Sequence, residues 1–463
     1  MSLLFCWSVS AAPLRLRNAR VWDGTGAPAR EGQWIAIDGG RVSAVGDEPA
    51  PPSDHAELDV HGRTVIPGLI DAHVHLEAVP GAALRGDSAA QRAAAQEQAL
   101  RAYVACGVTT VLDAGISWPA LARVRGWLAD GTVGPRVLTL GPVLGPEGGY
   151  VEAFLPEHVG ADAMPEVEEH LDRLVEAGAL GLKLTIEPGY ILPVLPLHEP
   201  AFRAEIAAQA AARGLPVLVH AQHADAHEAA LDLQPRAVLH MVRDRRAPTD
   251  LIARYAAQQT WLVSTLNIDA APLVAKEPAP WVRALEQKVI PADQRETALS
   301  RKGWRDFRRG MAAVALPEMA PWLRRLGLAL SPVRAMLRRG AARTGSNLRR
   351  MHEGGVRIAL GSDAGAYDTI PFYFHGVSTL QEVRWAVQAG LSPAAALHAA
   401  TGQAAELLGI AGEAGTITVG AAADLVILDA DPLADPEALY QVHQVVQAGV
   451  PRTPDQILSG TPD

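Results

Sequence analysis

Eight short apolar segments, each a candidate strand, recur between Thr64 and Ser362, and helical stretches separate most of them. They are Thr64–Ile70, Thr109–Leu112, Arg136–Leu140, Gly181–Ile186, Val217–Ala221, Ala237–His240, Trp261–Leu266 and Arg357–Ser362. Between them, Ala89–Cys106, Met164–Ala177 and Ala201–Arg213 have helical composition and spacing. Strand followed by helix, repeated, pairs strands in parallel through right-handed crossovers. Eight such units predict an α/β chain closed into a (β/α)8 TIM barrel, with an open doubly wound sheet as the alternative. The chain has 463 residues. A barrel takes roughly 250–400, so a small second domain is expected beside it.

The two ends of the chain supply that domain. Leu14-Arg15-Leu16-Arg17 alternates apolar and polar residues, and Trp34–Ile37 and Val42–Val45 flank a hairpin turn at Asp38-Gly39-Gly40-Arg41. Near the other end Gly415–Ile417, Ala423–Leu428 and Val442–Val446 are strand-like. The expected organisation is a β-sandwich from residues 14–62 and 409–455 around a barrel at 63–408. Residues 267–345, far too many for one helix, form an insertion after the seventh strand, where barrel loops carry function.

The formal charge of −10 argues against a nucleic-acid partner. It is unevenly spread: Arg295 to Arg350 holds 14 Lys/Arg against 3 Asp/Glu. Within this block Trp304–Arg309 and Trp322–Leu326 read as amphipathic helical turns. They suit a lid attracting a substrate carboxylate, a membrane or subunit contact, or a solvated excursion. The two cysteines, Cys6 and Cys106, are far apart and form no CxxC pair, so neither a disulfide framework nor a thiolate metal site is expected. No apolar run is long enough to span a bilayer. Met1–Pro13 lacks the basic start of a secretory signal, so a cytoplasmic chain is expected; a truncated signal peptide would make it periplasmic or secreted.

The chemistry concentrates at strand ends. In Pro67-Gly68-Leu69-Ile70-Asp71-Ala72-His73-Val74-His75, side chains two apart on an extended strand share a face, so His73 and His75 can reach one metal ion. His220 and His240 each end an apolar strand, at the catalytic rim of a barrel. Asp363 follows Ile358–Ser362; burying its carboxylate is costly unless it is paired or metal-bound, and it can accept a proton from metal-bound water. Lys183 lies inside the apolar strand Gly181–Leu184. It either snorkels to the rim or, with its pKa lowered by burial, adds carbon dioxide to become a carbamate. His223 and His227 read as supporting or solvated groups, with His223 a candidate substrate contact.

These motifs together resemble the amidohydrolase superfamily, and most closely its imidazolonepropionase-related, Xaa-Pro-dipeptidase-like branch. Arg17–Gly24, Pro67–His75, Gly107–Val111, Gly354–Gly365, Ala399–Thr401 and Gly420–Val426 carry the resemblance, which covers almost the whole chain. It implies a metal-dependent hydrolase with two divalent ions, expected to be zinc. His73, His75 and Asp363 would hold one ion and His220 and His240 the other, with Lys183 bridging them as a carbamate together with a hydroxide. Asp363 would move the hydroxide's proton to the leaving nitrogen, and His240 and Lys183 would take part in catalysis. Relatives often show Gly-Gly-His where this chain has Gly148-Gly149-Tyr150, which makes Tyr150 a candidate substrate contact.

Three functions follow. The first is hydrolysis of an amide-type C–N bond in a dipeptide or N-acyl amino acid. The second is a one-metal deaminase or cyclic-amide hydrolase, in which Lys183 is not carbamylated and His240 contacts substrate. The third is an inactive barrel used for binding. A small-molecule substrate and a homo-oligomer are the expected partners.

Overall fold

The structure, a computed structural model, describes residues 12–151, 158–189, 195–274, 283–315 and 333–460. Eight parallel strands are present, seven where expected and the first displaced along the chain: β1 (Leu69–Val74), β2 (Val108–Asp113), β3 (Arg136–Thr139), β4 (Leu182–Thr185), β5 (Val217–His220), β6 (Ala237–Leu239), β7 (Trp261–Ser264) and β8 (Arg357–Leu360). β1 to β3 form one parallel sheet, and β4 to β8 run in order through a second. The second sheet gains two strands the sequence reading did not foresee, Val143–Gly145 and His158–Gly160. Backbone hydrogen bonds join the sheets at both junctions. Leu180 N–H donates to Thr139 O at 2.8 Å, Asp363 N–H to His73 O at 2.8 Å, and His75 N–H to Ala364 O at 2.8 Å.

The strands carry Val, Ile and Leu because both faces are buried. Leu182, Leu184 and Ile186 join the core beneath the helices, which leaves Lys183 and Thr185 on the opposite face. The covering helices are amphipathic. In Met164–Glu176 the buried residues Val167, Leu171 and Leu174 recur at helical spacing. Helix Ala89–Ala105 begins at Ser88 with a capping box: the Ser88 side chain accepts from Gln91 N, and the Gln91 side chain accepts from Ser88 N.

Both chain ends meet in one mixed eight-stranded sheet, with Leu14–Val21, Arg30–Asp38, Arg41–Asp47, Ala56–Asp59 and Thr64–Pro67 from the first end. Leu425–Leu428, Val442–Gln447 and Val450–Arg452 come from the other. The expected hairpin is present, with Asp38 opposite Arg41 and Gly39 and Gly40 both at positive φ, as its two-residue turn requires.

Two expected strands differ. Thr64–Ile70 is two strands: Thr64–Pro67 pairs with Leu425–Leu428 in the end sheet, and Leu69–Val74 belongs to the parallel one. Gly68, where any Cβ would collide with the Thr109 side chain, separates them. Gly415–Ile417 is a loop, with Gly415 at φ +81° against the Thr401 carbonyl.

After β7 the described part of the insertion is helical: Asn267–Val274, Ala284–Val289, Ala292–Leu299, Arg301–Ala315 and Val333–Glu353. It is more than a solvated excursion, because Phe307 is fully buried with its ring 5.0 Å from Phe372, edge to face. Trp322–Leu326 and Cys6 lie outside the described residues. Cys106 is buried, as a small apolar residue would be. No helix among the described residues is long and apolar enough to cross a membrane.

Candidate metal centre

The C-terminal ends of the parallel strands converge on one buried cluster. From β1, His73 Nε2 and His75 Nε2 lie 3.4 Å apart. Asp363, just beyond β8, places Oδ1 3.3 Å from each of them. These three form a group whose ligand atoms all lie within 4.8 Å of one another, the separation a shared ion needs. Lys183 on β4 reaches the same point, with Nζ 3.2 Å from His73 Nε2. The remaining histidines stand alongside. The His240 ring centroid is 4.7 Å from that of His73 and 4.3 Å from that of His220.

Hydrogen bonds fix how several rings point. His75 Nδ1–H donates to the Gly115 carbonyl at 3.0 Å, so the lone pair of Nε2 faces the cluster. His240 Nδ1 is paired with Thr265 Oγ1 at 2.9 Å, while its Nε2 is buried without a hydrogen-bond partner, as is Nε2 of His220, 3.6 Å from Glu187 Oε2. Buried nitrogens are rarely left without a hydrogen bond, and two such imidazoles side by side suit a cation. Both His240 and Asp363 have positive φ, +77° and +56°, uncommon for residues with a Cβ. The backbone turns sharply at these two strand ends, where the side chains enter the cluster.

Burial tunes the groups. It drives His73 and His240 well below the ordinary imidazole value, which favours the neutral ring in both. It pushes the Lys183 amine down to about 8, against the pull of Asp363 and Asp113. The shift is toward the free amine, relative to a lysine exposed to water.

The other expected residues sit around this cluster. Tyr150 lays its ring 4.6 Å from that of His220, and its hydroxyl is 2.8 Å from the Tyr367 hydroxyl. His223 Nδ1 is 3.2 Å from Glu187 Oε1. Of the two expected readings of His227, supporting or solvated, burial rules out the second: it is fully buried, with Nε2–H donating to the carbonyl of Ala221, next to His220, and Nδ1 accepting from the Tyr255 hydroxyl.

Several buried carboxylates escaped the sequence reading. Asp71 accepts from Ser362 Oγ and Thr379 Oγ1, each at 2.6 Å, and from Ser362 N at 2.9 Å, tying β1 to β8; burial pushes it up to about 6. Asp113 accepts from the N–H groups of Leu76 and Gly115 and holds the loop after β1. Glu382 accepts from Ser264 Oγ, Leu266 N and Asn267 N, and burial pushes it up to about 8. Glu187, two residues past β4, is fully buried. Its signal was readable, since it continues the alternation of Lys183 and Thr185.

Parallel strands with helices between them, ending in a buried His-His-Asp group beside a lysine and two further histidines, define a hydrolytic enzyme with a metal-capable centre. Residues 64–451 match the amidohydrolase family. The chain belongs to that family, whose members are hydrolases acting on C–N bonds. An allantoinase from Solibacter usitatus (strain Ellin6076) is 30% identical over 195 residues, 41% of this chain and 35% of that protein. An N-acyl-D-glutamate deacylase from Alcaligenes xylosoxydans xylosoxydans is 44% identical over 62 residues, 13% of this chain and 12% of that protein. Both matches thus span well under half of the relatives' length. Among solved structures, a Xaa-Pro dipeptidase with methionine bound in its active site superposes with a TM-score of 0.72 at 22% identity, over 96% of this chain and all of that one. At that identity the likeness is one of fold.

Proposed function

We propose that this chain hydrolyses an amide-type C–N bond in a dipeptide or N-acyl amino acid, using two divalent ions, with zinc the expected metal. The observation that carries the reading is the meeting of Lys183 Nζ with the His73–His75–Asp363 group, beside two histidines whose buried Nε2 atoms have no hydrogen-bond partner. His73, His75 and Asp363 would hold one ion, His220 and His240 the other, and Lys183 as a carbamate would join the two. Bound there, the ions supply acidified water and polarise a carbonyl. The chain's own residues do the rest. Asp363, beside both β1 imidazoles, moves the proton from water to the leaving nitrogen. Thr265 and Gly115 hold the rings of His240 and His75 in place. Tyr150 and His223 border the space a substrate would fill.

The same reading takes the two parallel sheets as one closed (β/α)8 barrel, supported by the backbone bonds at both junctions. It takes the end sheet as a small sandwich folded around Leu16, Ile35, Ile37, Val65, Leu425 and Ile427. The barrel would span 63–408, although Thr64–Pro67 pairs with the end sheet, and the sandwich would use 14–62 and 409–455. The names of the Xaa-Pro dipeptidase and the N-acyl-D-glutamate deacylase, to which this chain is similar, favour this substrate class.

A one-ion deaminase or cyclic-amide hydrolase is the second reading. It is favoured by the tight grouping of just three ligands, among the described residues, within 4.8 Å. Metal analysis after reconstitution separates the two: about two ions per chain fits the first, about one the second. Screening dipeptides, N-acyl amino acids, lactams and lactones then tests the substrate. Turnover of lactams alone would sink the first reading. Self-assembly, part of the same proposal, is read by light scattering on the eluting protein.

A further inference from the structure

Glu187 stands where the second ion would be held, and none of the roles given above uses it. Its side chain is wholly buried. One carboxylate oxygen, Oε1, is pinned, accepting from Gly189 N–H at 3.0 Å and lying 3.2 Å from His223 Nδ1. The other, Oε2, has no hydrogen-bond partner and lies 3.6 Å from His220 Nε2, itself unpartnered. His240 Nε2, the third unpartnered atom, belongs to a ring 4.3 Å from that of His220. An ionised carboxylate buried with a free oxygen is costly unless a positive charge meets it. Donor atoms on one ion with bonds near 2.0–2.2 Å sit roughly 3–3.6 Å apart, which the Oε2 to Nε2 separation matches.

We propose that Glu187 is a further ligand of the ion held by His220 and His240, giving it a two-histidine, one-carboxylate set. This inference rests on the two-ion reading above. Lys183, four residues earlier on the same face of the strand, approaches the His73 side. Glu187 serves the His220 side, so each half of the centre receives a group from this one segment. The pinned oxygen gives the carboxylate a fixed orientation, as hydrogen-bonded outer partners do for metal ligands.

The test is cobalt titration of the metal-free full chain, wild type and Glu187→Gln, followed by visible absorption and by metal analysis. Gln keeps an oxygen for Gly189 N–H and removes the charge. The expected result is two equivalents in the wild type. In Glu187→Gln, the first equivalent is unchanged, the second is weakened by more than about 100-fold, and its absorption band is altered, a larger loss than outer partners of ligands cause. Unchanged affinity, or weakened binding with an unaltered band, overturns the proposal, because a residue that only positions His220 leaves the ligand set intact. Should Glu187→Gln fail to fold, Glu187→Asp, which keeps the charge and withdraws the oxygen by one methylene, is read on the same band; an unaltered band again overturns the assignment. A wild type that binds one equivalent fails the two-ion reading itself, a result distinct from either outcome of the variants.

Discussion

The amine of Lys183 lies 3.2 Å from Nε2 of His73, although the two residues belong to strands that are not neighbours in either sheet. This is a donor close to an imidazole that burial keeps neutral, at the point where Asp363 and His75 also arrive. If the lysine joins the two halves of the centre, Lys183→Ala abolishes turnover and drops metal content below that of the wild type. A folded variant that keeps full turnover removes the joining role. Labelled carbon dioxide gives an independent reading, as a carbamate resonance in the wild type that the variant lacks.

Gly361 sits where β8 meets β1. A Cβ there would fall 2.6 Å from His73 Cβ and 2.9 Å from His73 N, with Val263 at 2.7 Å on the other side. Overpacking of this kind costs about 1–3 kcal/mol. Gly361→Ala is therefore expected to lower the denaturation midpoint and, by displacing His73, to weaken metal binding. Wild-type metal affinity in this variant would show that β1 and β8 can separate without disturbing the ligands.

Phe307 tests whether the insertion is part of the folded body. Its ring is buried against Phe372 and 5.4 Å from Trp304. Phe307→Ala should cost about 3–5 kcal/mol if this packing is cooperative with the barrel core. Denaturant unfolding followed by tryptophan fluorescence reads it, and a midpoint unchanged from wild type would mean that the insertion melts on its own.

His227 predicts acid sensitivity. Burial holds it down to about 3, against 6.5 when free in water. Between those values the unfolded chain binds the proton and the folded chain does not, so stability rises with pH across that window. It is fully present above about 6.5 and is lost as pH falls toward 3. His170 and His375, each held down to about 4 by burial, act in the same direction. His227→Gln should lower stability at pH 7, since two hydrogen bonds are disturbed, yet lessen its fall between pH 6.5 and 4. Thermal melts across that range check the slope, and parallel curves for variant and wild type would discard His227 as a contributor.

The sequence by itself determined the parallel strands, their order and the residues at their ends. Apolar runs of three to six residues and the helical periodicity between them are local properties, set by burial on two faces and on one. His73 with His75 was legible for the same reason, since one extended strand aims both rings alike.

The tertiary structure decided which distant residues share a pocket. Asp71 was read only as part of a motif, and its bonds to Ser362 and Thr379 span about three hundred residues. Glu187 continued the alternation of β4 just past its end, but only the approach of His220 and His223 turns it from a buried carboxylate into a candidate ligand. The split of Thr64–Ile70 was equally hidden, because it depends on Leu425–Leu428 arriving from the far end of the chain. Local pattern fixes which residues are buried and which way they face. The partner that makes a buried charge tolerable comes from another strand, and only the packed fold names it.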